Sequence, residues 1–343
     1  MSLDPKDYFY NLPQKLIANQ STHLRDHCRL MCLDRKSGKI SHHKFYDLVN
    51  ILTSNDVLVL NQSKVFPARL FGKKETGGEI EVLLLHQIKS DQWLAISKPR
   101  PKVSQKIIFG HKLIGEVIAS DSSTGQITLK FNYKNNKIFE ILDKIGHTPI
   151  PPYISSHQTE SQIRKEYQTV YAKITGSAAA PTAGLHFTEK LLSQLKNKGI
   201  QIEYVTLHVG LGTFQNLRPE NLKNKTLHSE FYEIKPDVVK RLNQAKKDGK
   251  RIIAIGTTSV RTLESAVSNN KIKSGKNTTN IFIYPGVKFK FVDALITNFH
   301  LPESSLLMLV SAFSSKEFIM KSYQEAINHK YRFFSFGDAM FIF

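Results

Sequence analysis

The chain has 343 residues, 41% hydrophobic and 10% aromatic, with Lys+Arg 48 against Asp+Glu 29 and a formal net charge of +19. Its apolar content excludes a disordered polyelectrolyte, and its length exceeds what one core usually organises, so two domains or one large domain with an insertion are expected. So basic a balance attracts polyanions, nucleic acid first among them, although a lysine- and asparagine-rich composition also yields a generic basic surface.

The opening segment, "MSLDPKDYFYNLPQKL", is polar and acidic where a secretory signal needs a basic start and an apolar core. The longest apolar run, near "SSLLMLVSAF", is too short to cross a bilayer. A cytoplasmic location without a membrane partner is expected. Cys28 and Cys32 are too few for a disulfide framework or an iron–sulfur cluster, and read as reduced structural thiols. The stretch "YDLVNILT" predicts a first helix.

From Asp56 to Phe131 the pattern changes to short alternating strands broken by glycine: "DVLVLN", "ARLFGKK", "GEIEVLLLHQI", "QWLAIS", "KIIFG", "LIGEVIAS" and "QITLKF". This predicts a small antiparallel barrel or sandwich. It closes at "IGHTPIPPYI", where Pro149, Pro151 and Pro152 interrupt regular structure.

Helices and strands then alternate. Thr188 caps "EKLLSQLKNK", which feeds the strand "IQIEYVTLHV"; the helix "PDVVKRLNQAKKD" leads to "RIIAIG", and another helix starts at "TTSVRTLES". The strands "IFIYP" and "DALITNF" and a helix opened by Pro302 follow. The fold expected is an α/β main domain with a mostly parallel sheet, barrel-like or open, carrying an inserted small all-β barrel-like domain. The boundaries expected are 1–55 and 150–343 for the first and 56–149 for the second.

Three strands of the main domain end in small, hydroxyl-bearing or histidine-bearing loops: "LHVGLGTF", "GTTSVRT" and "TNFHLP". Ligands of α/β sheets gather at the carboxyl ends of strands, so these loops should share one crevice. In the first, Gly210 and Gly212 let the main chain approach a ligand, with His208 at the strand exit and Thr213 beyond. In the second, the hydroxyls of Thr257, Thr258 and Ser259 crowd a helix start suited to a carboxylate or phosphate. Arg261 and Glu264, three apart on that helix, read equally as a surface ion pair or as ligand contacts. The third contributes Asn298, Phe299 and His300. A fourth stretch, "GSAAAPTAGLHF", has a bare backbone ahead of His186; Thr182, Gly184, Leu185 and Phe187 belong to it.

No G-x-x-x-x-G-K-[ST] loop, H-E-x-x-H helix or G-x-S-x-G elbow occurs, which removes support for ATP hydrolysis, zinc proteolysis and serine hydrolysis. His186, His208, His228 and His300 lack close ligand spacing, so no metal is expected.

The blocks "YQTVYAKITGSAAAPTAGLHFT", "VTLHVGLGTFQ", "LHSEFYEI", "AIGTTSVRTLES", "LITNFHLPESSLLMLVSAF" and "YRFFSFGDAMFI" together resemble the S-adenosylmethionine:tRNA ribosyltransferase-isomerases of queuosine biosynthesis. The N-terminal "LPQKLIA", "RDHCRLMCLDRKSGKISHHKFYDL" and "DVLVLNQSKVFPARLFGKKETGGEIEVLLL" fit the same family. Departures are Ala178 for valine, Asn216-Leu217 where proline is usual, and Ser305 for threonine.

The resemblance implies transfer of the ribosyl moiety of S-adenosylmethionine to the aminomethyl group of a 7-deazaguanine at the tRNA wobble position, giving epoxyqueuosine with loss of adenine and methionine. S-adenosylmethionine is then a consumed co-substrate rather than a cofactor, no other cofactor is expected, and the chain is expected to act as a monomer. The sulfonium acidifies the adjacent ribose carbon, so the chemistry calls for a proton acceptor, and histidine has a suitable pKa. His186 ranks first beside His208, with His300 next. Thr257, Thr258 and Ser259 would hold the methionine carboxylate, Glu264 would balance the sulfonium or amino group, and Phe187 or Phe299 would stack on adenine. Lys64, Arg69, Lys73, Lys74, Arg100 and Lys102 of the β-rich part would meet anticodon-stem phosphates. Two rivals remain. A non-catalytic RNA-binding protein explains the charge but not the strand ends, and a small-molecule nucleotide enzyme explains the strand ends but not the charge.

Overall fold

A computed structural model describes residues 3–122, 124–151, 153–154, 158–210 and 217–343. Among these the larger sheet has nine strands. Its four central strands, Gln201–Leu207, Asp56–Asn61, Arg251–Ile255 and Ala294–Asn298, run parallel. Thr226–Ile234 and Gly275–Ile281 extend one flank antiparallel. On the other, Ala339–Ile342 pairs antiparallel with Ala294–Asn298 and parallel with Arg29–Leu33, and Ile40–Lys44 forms the edge. The sheet is therefore mixed, with its parallel pairing concentrated at the centre.

Alternation along the central strands sorts side chains between two cores. Val57, Val59, Ile252 and Ala254 face one, where the helices Pro236–Lys247, Gly256–Ser265 and Ser305–Phe313 pack. Leu58, Leu60, Ile253 and Ile255 face the other, under the helix Glu189–Asn197. Thr188 caps that helix as expected, accepting the Leu191 amide at 3.1 Å. With both faces covered, Asp56–Asn61 has no exposed residue. That explains a continuous apolar run rather than a half-polar one. The sequence grouping of this strand with the barrel is thus corrected: "DVLVLN" pairs with Gln201–Leu207 and Arg251–Ile255 at the heart of the large sheet.

Six antiparallel strands close into the barrel, in the order Gln126–Phe131, Gln92–Lys98, Glu79–Lys89, Arg69–Lys74, Lys106–Ile108 and Ile114–Ser120. The helix Asn136–Ile145 packs Ile138, Ile141 and Leu142 into the same core as Trp93 and Phe66. The short strand Ser63–Val65, paired parallel with Ile174–Ser177, links barrel and sheet. Two element expectations shift. The strand expected at "IFIYP" ends at Ile281, because Phe282 and Ile283 enter the core without a ladder. The helix expected to open at Pro302 is instead capped by Ser304, whose Oγ accepts the Leu307 amide at 3.2 Å. Pro152 lies outside the described residues.

Candidate active site

A solvent-open cleft lies at the carboxyl ends of the parallel strands. Segments 180–183, 256–258 and 297–302 form its walls, with Phe334 and Ser335 on the approach to the antiparallel strand Ala339–Ile342. Three of the four stretches singled out in the sequence therefore meet around one cavity, and Val209 brings the fourth to its rim.

Gly256, at φ +82°, turns the chain from the central strand into the helix Gly256–Ser265, which carries no side-chain cap. Its first amides are left free of intrahelical partners, and the helix dipole favours an anion there. Thr257 and Thr258 line the cleft, each 7% exposed. The Thr258 hydroxyl is buried without a hydrogen-bond partner among the described residues. Ser259 does not join them: its hydroxyl donates to Ile255 O at 2.8 Å, closing a helical turn.

Of the three candidate histidines, His300 lines the cleft. Its Nε2 is 3.1 Å from the Thr297 hydroxyl, and its backbone is held by Tyr10 and Tyr323. No hydrogen bond to Nδ1 forms among the described residues. Burial lowers its pKa to about 3, which keeps the ring neutral.

His186 and His208 sit elsewhere. His186 is 4% exposed and both its nitrogens are engaged: Asn298 Nδ2 donates to Nε2 at 2.9 Å, and Nδ1 faces Cys28 Sγ at 3.3 Å. The amide orientation follows from its other partners. Thr182 Oγ1 donates to Asn298 Oδ1 at 2.9 Å, and Nδ2 also donates to Phe334 O at 3.1 Å. The His186 proton is therefore on Nδ1, and its lone pair is already used. Burial, with smaller effects of Arg25 and Arg332, lowers its pKa to about 3. The first-ranked base is better described as a core histidine that orients Asn298. The ring of His208 packs against Gly176, where an added Cβ would lie 2.6 Å from Nε2, and it stacks on Phe231. Ser63 gives its hydroxyl proton to Leu207 O at 2.6 Å and so accepts from His208 Nδ1 at 3.1 Å. Burial takes this ring to about pKa 4.

The bare stretch thus serves two ends. Ala180–Ala183 open the cleft wall, whereas Gly176 and Gly184 make room for internal rings, a Cβ on Gly184 falling 2.0 Å from the Tyr171 hydroxyl. Leu185 and Phe187 are core residues; Phe187 packs edge-on to Phe45 and cannot stack on a ligand in the cleft. Phe299 backs the cleft from an aromatic cluster with Tyr323, Tyr331 and Phe333.

Arg261 pairs with Glu230 on the neighbouring strand rather than with Glu264. Glu230 also accepts the Gly210 amide at 3.1 Å, which leaves Gly210 at the edge of the site rather than in it. Glu264 accepts three amides, of Lys290, Phe291 and Val292, at 2.8–3.0 Å, so its charge is committed to a loop and not to a sulfonium. Gly212 and Thr213 lie outside the described residues.

On the barrel, Lys73, Arg100 and Lys102 are exposed and Lys74 is half-buried. Arg69 is partly tied to Glu81 at 3.2 Å. Lys64 stands apart, lining a groove with Arg25, Arg164 and Lys165 between barrel and sheet. Sequence reasoning missed Thr297, Tyr153 and Ser335 on the cleft and Glu230 behind it. Only Glu230 left a signal, as an acid inside a strand at a position that must be buried.

A family model described as "Queuosine biosynthesis protein" matches residues 5–342. The proteins named S-adenosylmethionine:tRNA ribosyltransferase-isomerase from Clostridioides difficile and Acetivibrio thermocellus are 51% and 50% identical to this chain, covering 98% of it and 99% and 98% of their own lengths. The crystal structure of the S-adenosylmethionine tRNA ribosyltransferase from Thermotoga maritima is 36% identical, covers 98% of this chain and 100% of its own, and superposes with a TM-score of 0.58.

Proposed function

The chain belongs to the queuosine biosynthesis protein family, and we propose that its reaction takes place in the cleft beside Thr258 and His300. It is an S-adenosylmethionine:tRNA ribosyltransferase-isomerase of queuosine biosynthesis, and on our reading it moves the ribosyl moiety of S-adenosylmethionine onto the aminomethyl-deazaguanine of tRNA. No described helix is long and apolar enough to cross a membrane. We place its work in the cytoplasm, where tRNA is modified, as a monomer. S-adenosylmethionine is consumed there and no separate cofactor is needed.

The observation that carries the site is the buried Thr258 hydroxyl, without a partner among the described residues, at an uncapped helix start. An anion satisfies both at once, and the methionine carboxylate is the anion this substrate brings. Thr257 would share it. Asn298 has donated both amide hydrogens into the protein, so what remains for a ligand is the second lone pair of Oδ1. Such an acceptor suits the exocyclic amine of adenine or a ribose hydroxyl.

His300 then acts as the base. It takes the proton from the ribose carbon next to the sulfonium, whose positive charge stabilises the carbanion. The electron pair opens the ring and adenine departs; the tRNA amine attacks the former anomeric carbon, and ring closure expels methionine. Lys73, Lys74, Arg100 and Lys102 would hold the anticodon stem by its phosphates, and an unpaired wobble base costs little to extrude toward the cleft. Incubation with S-adenosylmethionine and tRNA bearing the aminomethyl-deazaguanine should release adenine and methionine with a matching mass gain on the nucleoside. Adenine release without tRNA mass gain would contradict the transfer.

A further inference from the structure

Away from the cleft, three ligand-type side chains converge. His42 lies on the edge strand Ile40–Lys44, Glu325 in the last turn of the helix Lys316–Asn328, and His329 at that helix's end. Their donor atoms lie within 4.8 Å of one another. None of the three lines the cleft.

We propose that His42, Glu325 and His329 bind one first-row transition-metal ion, of the zinc or nickel class, which clips the edge strand to the C-terminal helix. Both spacings to the carboxylate are close to what an ion needs. Bonds of about 2.0–2.2 Å in tetrahedral array place ligand atoms about 3.3–3.6 Å apart. Here His42 Nε2 is 3.7 Å and His329 Nδ1 is 3.2 Å from the same oxygen, Glu325 Oε1, and the ion would take His329 Nδ1 from its 3.2 Å contact with Glu325 O. Glu325 and His329, four apart, project from one face.

An independent feature prepares the first ligand. The Tyr331 hydroxyl is 2.8 Å from His42 Nδ1, so the remaining nitrogen, Nε2, is the one turned toward Glu325. Tyr331 is itself fixed: it is 1% exposed, with the Arg29 guanidinium 4.2 Å above its ring. Such an outer partner sets the orientation of a metal-binding imidazole, and the hydroxyl can accept from Nδ1–H when Nε2 holds an ion. The charge of Arg29 does not oppose a cation outright, because it is paired with Asp338 at 3.0 Å. Two imidazoles and one carboxylate select zinc, nickel or copper over calcium or magnesium, with open positions left for water. The ion would join residues far apart in sequence, so its binding should add to stability without entering the reaction.

Tag-free protein stripped with chelator is titrated with zinc chloride by calorimetry, and thermal unfolding is followed at several zinc concentrations. The wild type should take up one ion in a saturable step and its Tm should rise with zinc. His42→Ala and His329→Ala should each weaken that step at least tenfold and abolish the Tm rise, and Tyr331→Phe should weaken it roughly tenfold at unchanged stoichiometry. Equal metal-free Tm values would show that the exposed-site variant His329→Ala is folded. Absence of saturable uptake by the wild type, or the same uptake in both histidine variants, would overturn the proposal.

Discussion

The Asn298 amide donates to His186 Nε2 at 2.9 Å, and this bond fixes what each residue can do. It consumes the lone pair that would make His186 a base and leaves Asn298 as an acceptor toward the cleft. His186→Gln supplies another acceptor and should keep turnover within about tenfold, whereas His186→Ala leaves a buried donor unpaired, at a cost of about 1–3 kcal/mol. Steady-state kinetics should show the alanine variant's loss partly as a raised KM for S-adenosylmethionine. Abolished turnover in a stably folded His186→Gln would return His186 to the role of base.

Acid should destabilise the fold earlier than carboxylate titration alone predicts. His186, His208 and His300 have folded pKa values of about 3, 4 and 3 against about 6.5 in the unfolded chain. Below pH 6.5 the unfolded state binds protons that the native state refuses, so stability present above that pH is lost as pH falls toward 4. Thermal unfolding between pH 7.5 and 4.5 should show a falling Tm. A flat Tm over that range would mean the histidines are not desolvated as described.

Thr258→Val removes a hydroxyl that has no partner within the described chain. Folding stability should be unchanged or slightly higher. The KM for S-adenosylmethionine should rise tenfold or more, as expected for loss of a bond to a charged group worth about 1.5–3 kcal/mol. An unaltered KM would place the carboxylate elsewhere.

Reversal of Lys73 and Lys74 to glutamate should weaken tRNA binding and flatten its salt dependence, by roughly 0.7–0.9 in log–log slope for each phosphate that is no longer neutralised. Binding of S-adenosylmethionine should not change. If the slope is unaltered, the groove lined by Lys64, Arg25 and Lys165 becomes the better surface.

Periodic segments were legible because their environment is uniform. "RIIAIG" is apolar on both faces since it lies between two cores, and "PDVVKRLNQAKKD" is amphipathic since it covers one. The run "DVLVLN" was equally readable as a strand, yet nothing local says which sheet it joins; its neighbours, Gln201–Leu207 and Arg251–Ile255, come some 140 residues or more later in the chain. The converse holds for Gly275–Ile281, a polar edge strand that shows no apolar alternation. Small and hydroxyl-bearing strand ends were legible too, and they meet around one cleft. Choosing among His186, His208 and His300 required knowing that Asn298 takes the lone pair of the first and that only the third lines the cleft, and such placements arise only from packing.

Everything proposed for the reaction turns on His300 taking the proton. The direct test is single-turnover adenine release by His300→Ala, with S-adenosylmethionine binding measured alongside. Loss of a general base predicts a rate lower by about 10²–10⁴-fold with binding and Tm nearly unchanged. Wild-type release from a folded, substrate-binding His300→Ala would contradict it.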